Sequence, residues 1–297
     1  MEDAPTIEQT KAFATGMYQG AQLVADYMKD RWPTVNGVIV NSQTGHRDVS
    51  MKGLWGRAHA WMQTVKKLND PLDFQATAVA NRALLEITVD LTLLHQDKTN
   101  ASGWKMHWWG ESQKMKSAEQ IIRFYQENGL DVPDQFDGQV EFVRNSKSSI
   151  DHMRTVLWPN KRNPKKPTHP ERWTGKPTLF EDIQMADVFY ASQIEADLGS
   201  SLTEYYRTEY AKMNWRIHSG VAAFWNQPPQ SFNLVSAFAF KWCADFGMLC
   251  TKIVLTDFGL TAVLDNLRQQ WEDIRTQREL LCLQHIKNPS NQTDGPN

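Results

Sequence analysis

Cysteine is scarce, and none of it is arranged for metal or redox work. Only Cys243, Cys250 and Cys282 occur, and no two form a Cys-x-x-Cys pair. An odd count without ligand spacing argues against a disulfide framework or a zinc site. It favours reduced, buried thiols in a cytoplasmic protein. Charge of one sign is also missing: 32 Lys and Arg face 34 Asp and Glu, for a net charge of -2. That balance gives no polybasic affinity for nucleic acid or membrane surfaces. No long hydrophobic run is free of charge. The most apolar stretch, 234–255, carries Lys241, Asp245 and Lys252, charges that a lipid span should lack. It is expected to be a buried core helix, and no membrane partner is expected. The opening Met1-Glu2-Asp3-Ala4-Pro5-Thr6 is acidic and has no apolar h-region, so no signal peptide is expected. Gly-x-Ser-x-Gly, the phosphate-binding P-loop and the dinucleotide fingerprint are all absent.

Helical periodicity dominates what remains. Ile7, Phe13, Met17, Ala21, Val24 and Met28 predict a helix over 7–31, ended by Trp32-Pro33. A polar loop, 34–46, precedes a helix over 47–68. Asn69-Asp70-Pro71 then starts a helix that runs to 96. Further helices are predicted over 102–128, closed by Asn128-Gly129, and over 137–157. Residues 158–180 break the pattern with five prolines, six basic residues and His169. This irregular excursion is too long for an ordinary connection. Helices resume over 181–192, 200–219, 231–257 and 260–286, and a polar tail, 287–297, is expected to be disordered. Sheet-like alternation is confined to Gly37-Val38-Ile39-Val40. The reading is an all-α multi-helix bundle of about eight helices, with 1–286 as one domain. The twelve tryptophans fill gaps between its helices.

Two polar stripes interrupt the apolar faces. Arg82, Glu86 and Asp90 are four apart in an otherwise apolar run, and so are Tyr210, Asn214 and His218. Four-residue spacing stacks side chains on one helix face. Arg82 and Glu86 are therefore expected to be buried and to need partners. Arg before Glu is the poorer orientation for an i, i+4 pair, and a buried Arg has more donors than one carboxylate accepts. Both are expected to reach the Tyr210 helix, with Glu86 orienting the His218 imidazole and Arg82 binding an anion or a carbonyl.

The run Trp173-Thr174-Gly175-Lys176, then Tyr206 and Tyr210, then His218-Ser219-Gly220, preceded by Arg82-Ala83-Leu84-Leu85-Glu86, resembles a bacterial all-helical family catalogued as a domain of unknown function. The resemblance spans roughly 50–230, and departs from the family at Asn214, where the family has Ser. That family is in turn distantly similar to the HEPN proteins, many of them metal-independent ribonucleases with an Arg and a following His. Two such spacings occur here, Arg162 to His169 and Arg278 to His285.

Three accounts of the stripes stay open: a network that only cross-links helices, a pocket for a small ligand, or a catalytic site. The first two make the chain a helical binding or interaction module, in the resemblance's terms one of bacterial defence or stress response. Its ligand-binding residues are then Trp173, Lys176, Tyr206 and Asn214. The third makes it a ribonuclease of toxin or anti-phage type, with Arg82, Glu86, Tyr210 and His218 as catalytic residues. The partner is accordingly a small ligand or RNA, and a homodimer is compatible with either. No cofactor is expected. No metal is expected either, since His107-Trp108-Trp109, Asp151-His152 and Glu181-Asp182 each lack a third ligand at metal spacing.

Overall fold

The computed structural model describes residues 5–40, 45–70, 73–97, 99–160, 163, 166–213 and 228–260, with scattered positions to 276, and only the backbone of 189–197. Among the described residues there are eight α-helices and no strand, as the periodicity predicts. They are α1 (Ile7–Asn36), α2 (Gly45–Val65), α3 (Phe74–Gln96), α4 (Asn100–Glu127), α5 (Asp137–Leu157), α6 (Leu179–Leu198), α7 (Leu202–Tyr205) and α8 (Pro229–Asp257). Most of the helix expected over 260–286, and all of the tail after it, lie outside the described residues.

By contact the chain gathers into two compact units. One comprises Met1–Ile39, Met51–Gln96 and Ile183–Asn297; the other comprises Val40–Ser50 and Asp97–Asp182. The proline-rich excursion does not divide them, since it belongs wholly to the second.

In the first unit α8 is the central element, with α1 and α3 packed along it. Among the described residues it is the one helix long and apolar enough to cross a membrane by length and composition, and 83% of its most apolar stretch is buried within the protein. Of its charged residues, Asp245 is held by Lys241 at 2.7 Å. Helix α1 offers small and apolar side chains at three- and four-residue spacing, and Ala14, Met17, Ala21, Val24, Ala25 and Met28 are all buried. Its start is a capping box: Gln9 N–H donates to Thr6 Oγ1 at 3.2 Å, and Thr6 N–H donates to Gln9 Oε1 at 2.8 Å. Its end corrects the sequence expectation. Trp32-Pro33 does not stop it; the helix continues to Asn36 with Pro33 inside. Proline removes one donor, but so near the end that loss is single, and Gly37 N–H still donates to Pro33 O at 2.9 Å.

Trp55, Phe74, Leu84, Leu85, Ile87, Leu91 and Leu94 are among the largest fully buried side chains of this core. At about 1.5–3 kcal/mol each, they outweigh any single polar contact. Polar cross-links then fix register: Trp55 Nε1 donates to Thr251 Oγ1 at 3.1 Å, and His95 Nδ1 meets Asp257 Oδ1 at 2.7 Å.

In the second unit α4 and α5 form an antiparallel pair. The turn between them contains Gly129 at φ 66°, where the sequence places a helix stop. Gly103 lets α4 approach the first turn of α2: a Cβ there would lie 2.3 Å from Arg47 N. Five of the excursion's fixed points are hydrogen bonds to its backbone carbonyls, and they make its described stretch from 166 to 180 an ordered strap rather than a free loop. Trp158 Nε1 donates to Trp173 O at 3.1 Å, and Arg154 Nε to Thr168 O at 2.8 Å. Thr168 Oγ1 donates to Trp158 O at 2.5 Å. Pro170 O accepts from Trp109 Nε1 at 3.2 Å and from Gln113 Nε2 at 3.4 Å.

Candidate functional site

Residues 81 and 82 of α3 serve two different surroundings. Asn81 is fully buried; its Oδ1 accepts the Tyr205 hydroxyl and its Nδ2 donates to Ala239 O at 3.5 Å. The Tyr205 ring packs against Trp242 and Phe246, with centroids at 4.4 and 4.9 Å. Burial pushes the Tyr205 phenol well above its ordinary pKa. Burial likewise raises the thiol of Cys243 and pushes that of Cys250 up to about 12. Neither is a nucleophile at neutral pH; both are buried, as expected, and Cys282 lies outside the described residues.

Arg82 points toward solvent. Its Nε donates to Glu86 Oε1 at 3.1 Å, and the two side chains are 42% and 35% exposed. This corrects the expectation that an apolar helix buries both charges; the expected reach to the second stripe is present at Arg82, which lies against Tyr210. The stripe lies on a partly open face of α3 beside exposed Val79, so water reaches both heads and the poorer i, i+4 orientation is still used. Asp90, two turns on, is the buried member of the stripe.

The second half of the site comes from the segment after α7. Residues Tyr206–Tyr210 form a π turn, an element common at functional positions. The wider turn brings Tyr206 and Tyr210 face to face, with centroids 4.6 Å apart and planes 18° from parallel. It also lets Tyr205 enter the core while Tyr210 meets α3. The Arg82 guanidinium lies 5.9 Å from the Tyr210 ring centre and bonds its hydroxyl. Burial raises the Tyr210 phenol pKa, and Arg82 opposes that rise. Burial alone would lower the Arg82 pKa; the bond to Glu86 and the adjacent Tyr210 and Glu86 charges raise it on balance. The result is a permanent cation beside a carboxylate and a stacked aromatic pair. Arg82, Glu86, Tyr206 and Tyr210 are thus together, all in the first unit. Asn214 and His218 lie outside the described residues.

Trp173 and Lys176 belong to the second unit. There Trp173 is buried and its carbonyl is held by Trp158. Thr174 Oγ1 donates to Asp182 Oδ1 at 2.6 Å, and Arg172 Nε bonds Asp182 Oδ2 at 2.8 Å. Gly175 has φ 84°, and a Cβ on it would meet Trp158 Cδ1 at 2.9 Å. Trp173-Thr174-Gly175 therefore closes the strap onto the first turn of α6, and the Lys176 side chain makes no bond among the described residues.

Tyr205, Asn81 and Arg154 are not singled out by the sequence. Tyr205 and Asn81 look like ordinary core spacing, and their pairing crosses 124 residues. Arg154 had a local signal, Asp151 three residues earlier. The Trp109 and Trp158 indoles also serve as donors rather than as mere fillers. Among the described residues, no group of three His, Cys, Asp or Glu could hold a metal ion. No protein-family model, no curated protein and no solved structure matches the chain.

Proposed function

We propose that the chain is a helical binding module whose ligand sits at the Arg82–Glu86–Tyr206–Tyr210 corner, and that the ligand is a small molecule joining an anionic group to a flat π face. The observation that supports this most is the half-exposed Arg82 guanidinium held beside the Tyr210 ring. A cation that is only structural gains little at such exposure, since a surface i, i+4 pair contributes about 0.3–0.5 kcal/mol. The same cation beside stacked rings is well placed to attract an aromatic anion. Tyr206 then supplies the stacking face, Arg82 the charge, and Glu86 holds Arg82 in place in the free protein.

The probe is 2-naphthoate, flat and anionic, followed by saturation-transfer NMR. Transfer is expected with the parent and lost in Arg82→Gln and in Tyr206→Ala, while both variants melt within a few degrees of it. Equal transfer in all three proteins would remove the corner from consideration. RNA incubated with the protein in EDTA is expected to stay intact. Cutting that His218→Ala abolishes would replace the binding reading with a catalytic one, because a metal-free ribonuclease needs such a proton-transfer group.

A further inference from the structure

We propose that Arg154, His169 and Lys116 form a phosphate-binding site in the second unit, where the strap meets α4 and α5. This is independent of the Arg82 corner.

The first observation is that His169, in an irregular segment, stands on a fixed backbone. The carbonyl before it, Thr168 O, is held by Arg154 Nε at 2.8 Å. The carbonyl after it, Pro170 O, is held by Trp109 and Gln113. The Thr168 hydroxyl is tied to Trp158 O. An exposed histidine on a loop with no task does not need both neighbours fastened; pinning of this kind pre-positions a side chain.

The second observation is Arg154 itself. Its side chain is 3% exposed. Nε is used by Thr168 O, and Nη1 bonds Asp151 Oδ1 at 2.7 Å. Nη2 is buried and has no hydrogen-bond partner among the described residues. A charged nitrogen kept from water without an acceptor is a costly arrangement, and an anion is the partner that answers it best.

The third is the balance of charge. The carboxylates of this region are already engaged: Asp151 by Arg154, and Glu119 by Lys147. Lys116 makes no ion pair among the described residues, yet it and Arg154 both act electrostatically on His169. Burial lowers the His169 pKa first and Arg154 next, with Lys116 adding to this and Glu119 and Asp151 opposing it. Two cationic donors and an imidazole N–H thus come from three elements: Arg154 from α5, Lys116 from α4, His169 from the strap. Three donors from separate elements suit a tetrahedral oxyanion, with oxygens in several directions, better than a planar carboxylate.

The test is titration of the full chain with inorganic phosphate against chloride at matched ionic strength, read by melting temperature and by calorimetry. Lys116 and His169 are exposed, so Lys116→Gln and His169→Gln keep the fold; Lys11→Gln, on an exposed position of α1, reports non-specific ionic effects. Phosphate is expected to raise the melting temperature of the parent. The half-saturating concentration is expected to rise roughly tenfold in Lys116→Gln and in His169→Gln, the loss of one charge-assisted hydrogen bond, and to stay unchanged in Lys11→Gln. A parent that phosphate stabilises no more than chloride overturns the proposal. So do Lys116→Gln and His169→Gln proteins that titrate like the parent, because the anion then sits elsewhere.

Discussion

The Tyr205 hydroxyl donates to the Oδ1 of Asn81, joining two buried side chains from distant parts of the chain. Deleting only the hydroxyl leaves the fully buried Asn81 with an unpaired acceptor. Tyr205→Phe is therefore expected to destabilise the protein by about 1–3 kcal/mol, the cost of one orphaned buried polar group. Asn81→Leu on the Tyr205→Phe background is expected to recover part of that loss, since both polar atoms are then gone. Denaturant unfolding of the single and double variants measures this. A Tyr205→Phe protein as stable as the parent would show that the bond contributes nothing.

Gly175 and Gly129 share a left-handed backbone, at φ 84° and 66°, but not their surroundings. A Cβ on Gly129 meets nothing within 4 Å, whereas on Gly175 it lies 2.9 Å from Trp158 Cδ1. Gly129→Ala is expected to cost about 1 kcal/mol, the backbone effect alone. Gly175→Ala is expected to cost distinctly more, because the Trp158 ring and its bond to Trp173 O must shift too. The order of the two melting temperatures checks this, and equal values would mean that the strap gives way freely at Trp158.

These contrasts mark what a sequence can convey. Periodicity is a local property, so α4 and α5 end within two residues of their predicted limits, and the Asn128-Gly129 stop is where expected. Pro33 misled because a breaker is judged by residue type, while its effect depends on how many bonds remain beyond it. The Arg82 and Glu86 stripe was legible as a stripe. Its exposure was not, since a one-dimensional apolar pattern does not say which face of a helix stays partly open. The π turn was invisible for a related reason: nothing in Tyr206-Arg207-Thr208-Glu209-Tyr210 distinguishes one extra residue per turn from a regular helix.

Acid is expected to weaken the fold. His59, His107 and His169 all have pKa values lowered from the ordinary 6.5, each chiefly by burial. Lys29 adds to this at His59, His46 at His107, and Arg154 at His169. A base whose folded pKa is depressed takes up its proton in the unfolded chain first. Stability is thus fully present above pH 6.5 and declines as pH falls from there through the lower folded values. Melting temperatures between pH 7.5 and 5 are expected to fall, and the fall to be shallower in His107→Gln. A flat profile would mean that these imidazoles are solvated alike in both states.

Asp182 is the residue on which the strap closes. It is fully buried, in the first turn of α6, with Arg172 on one oxygen at 2.8 Å and Thr174 on the other at 2.6 Å. Arg172 is itself mostly buried, 12% exposed at the side chain, so this pair is not one that water screens. Removing one member of such a pair leaves the other charge buried without compensation, a loss of about 3–5 kcal/mol. Asp182→Asn keeps the shape and one acceptor but loses the charge, and is expected to fall at the lower end of that range. Asp182→Ala loses both bonds and is expected to fall at the upper end. Because the lesion is local, faster amide exchange is expected first at Arg172, Thr174 and Gly175, ahead of the α8 core. Uniform acceleration over both units would show instead that the strap and the core unfold as one, and that Asp182 supports the whole molecule rather than the closure of its strap.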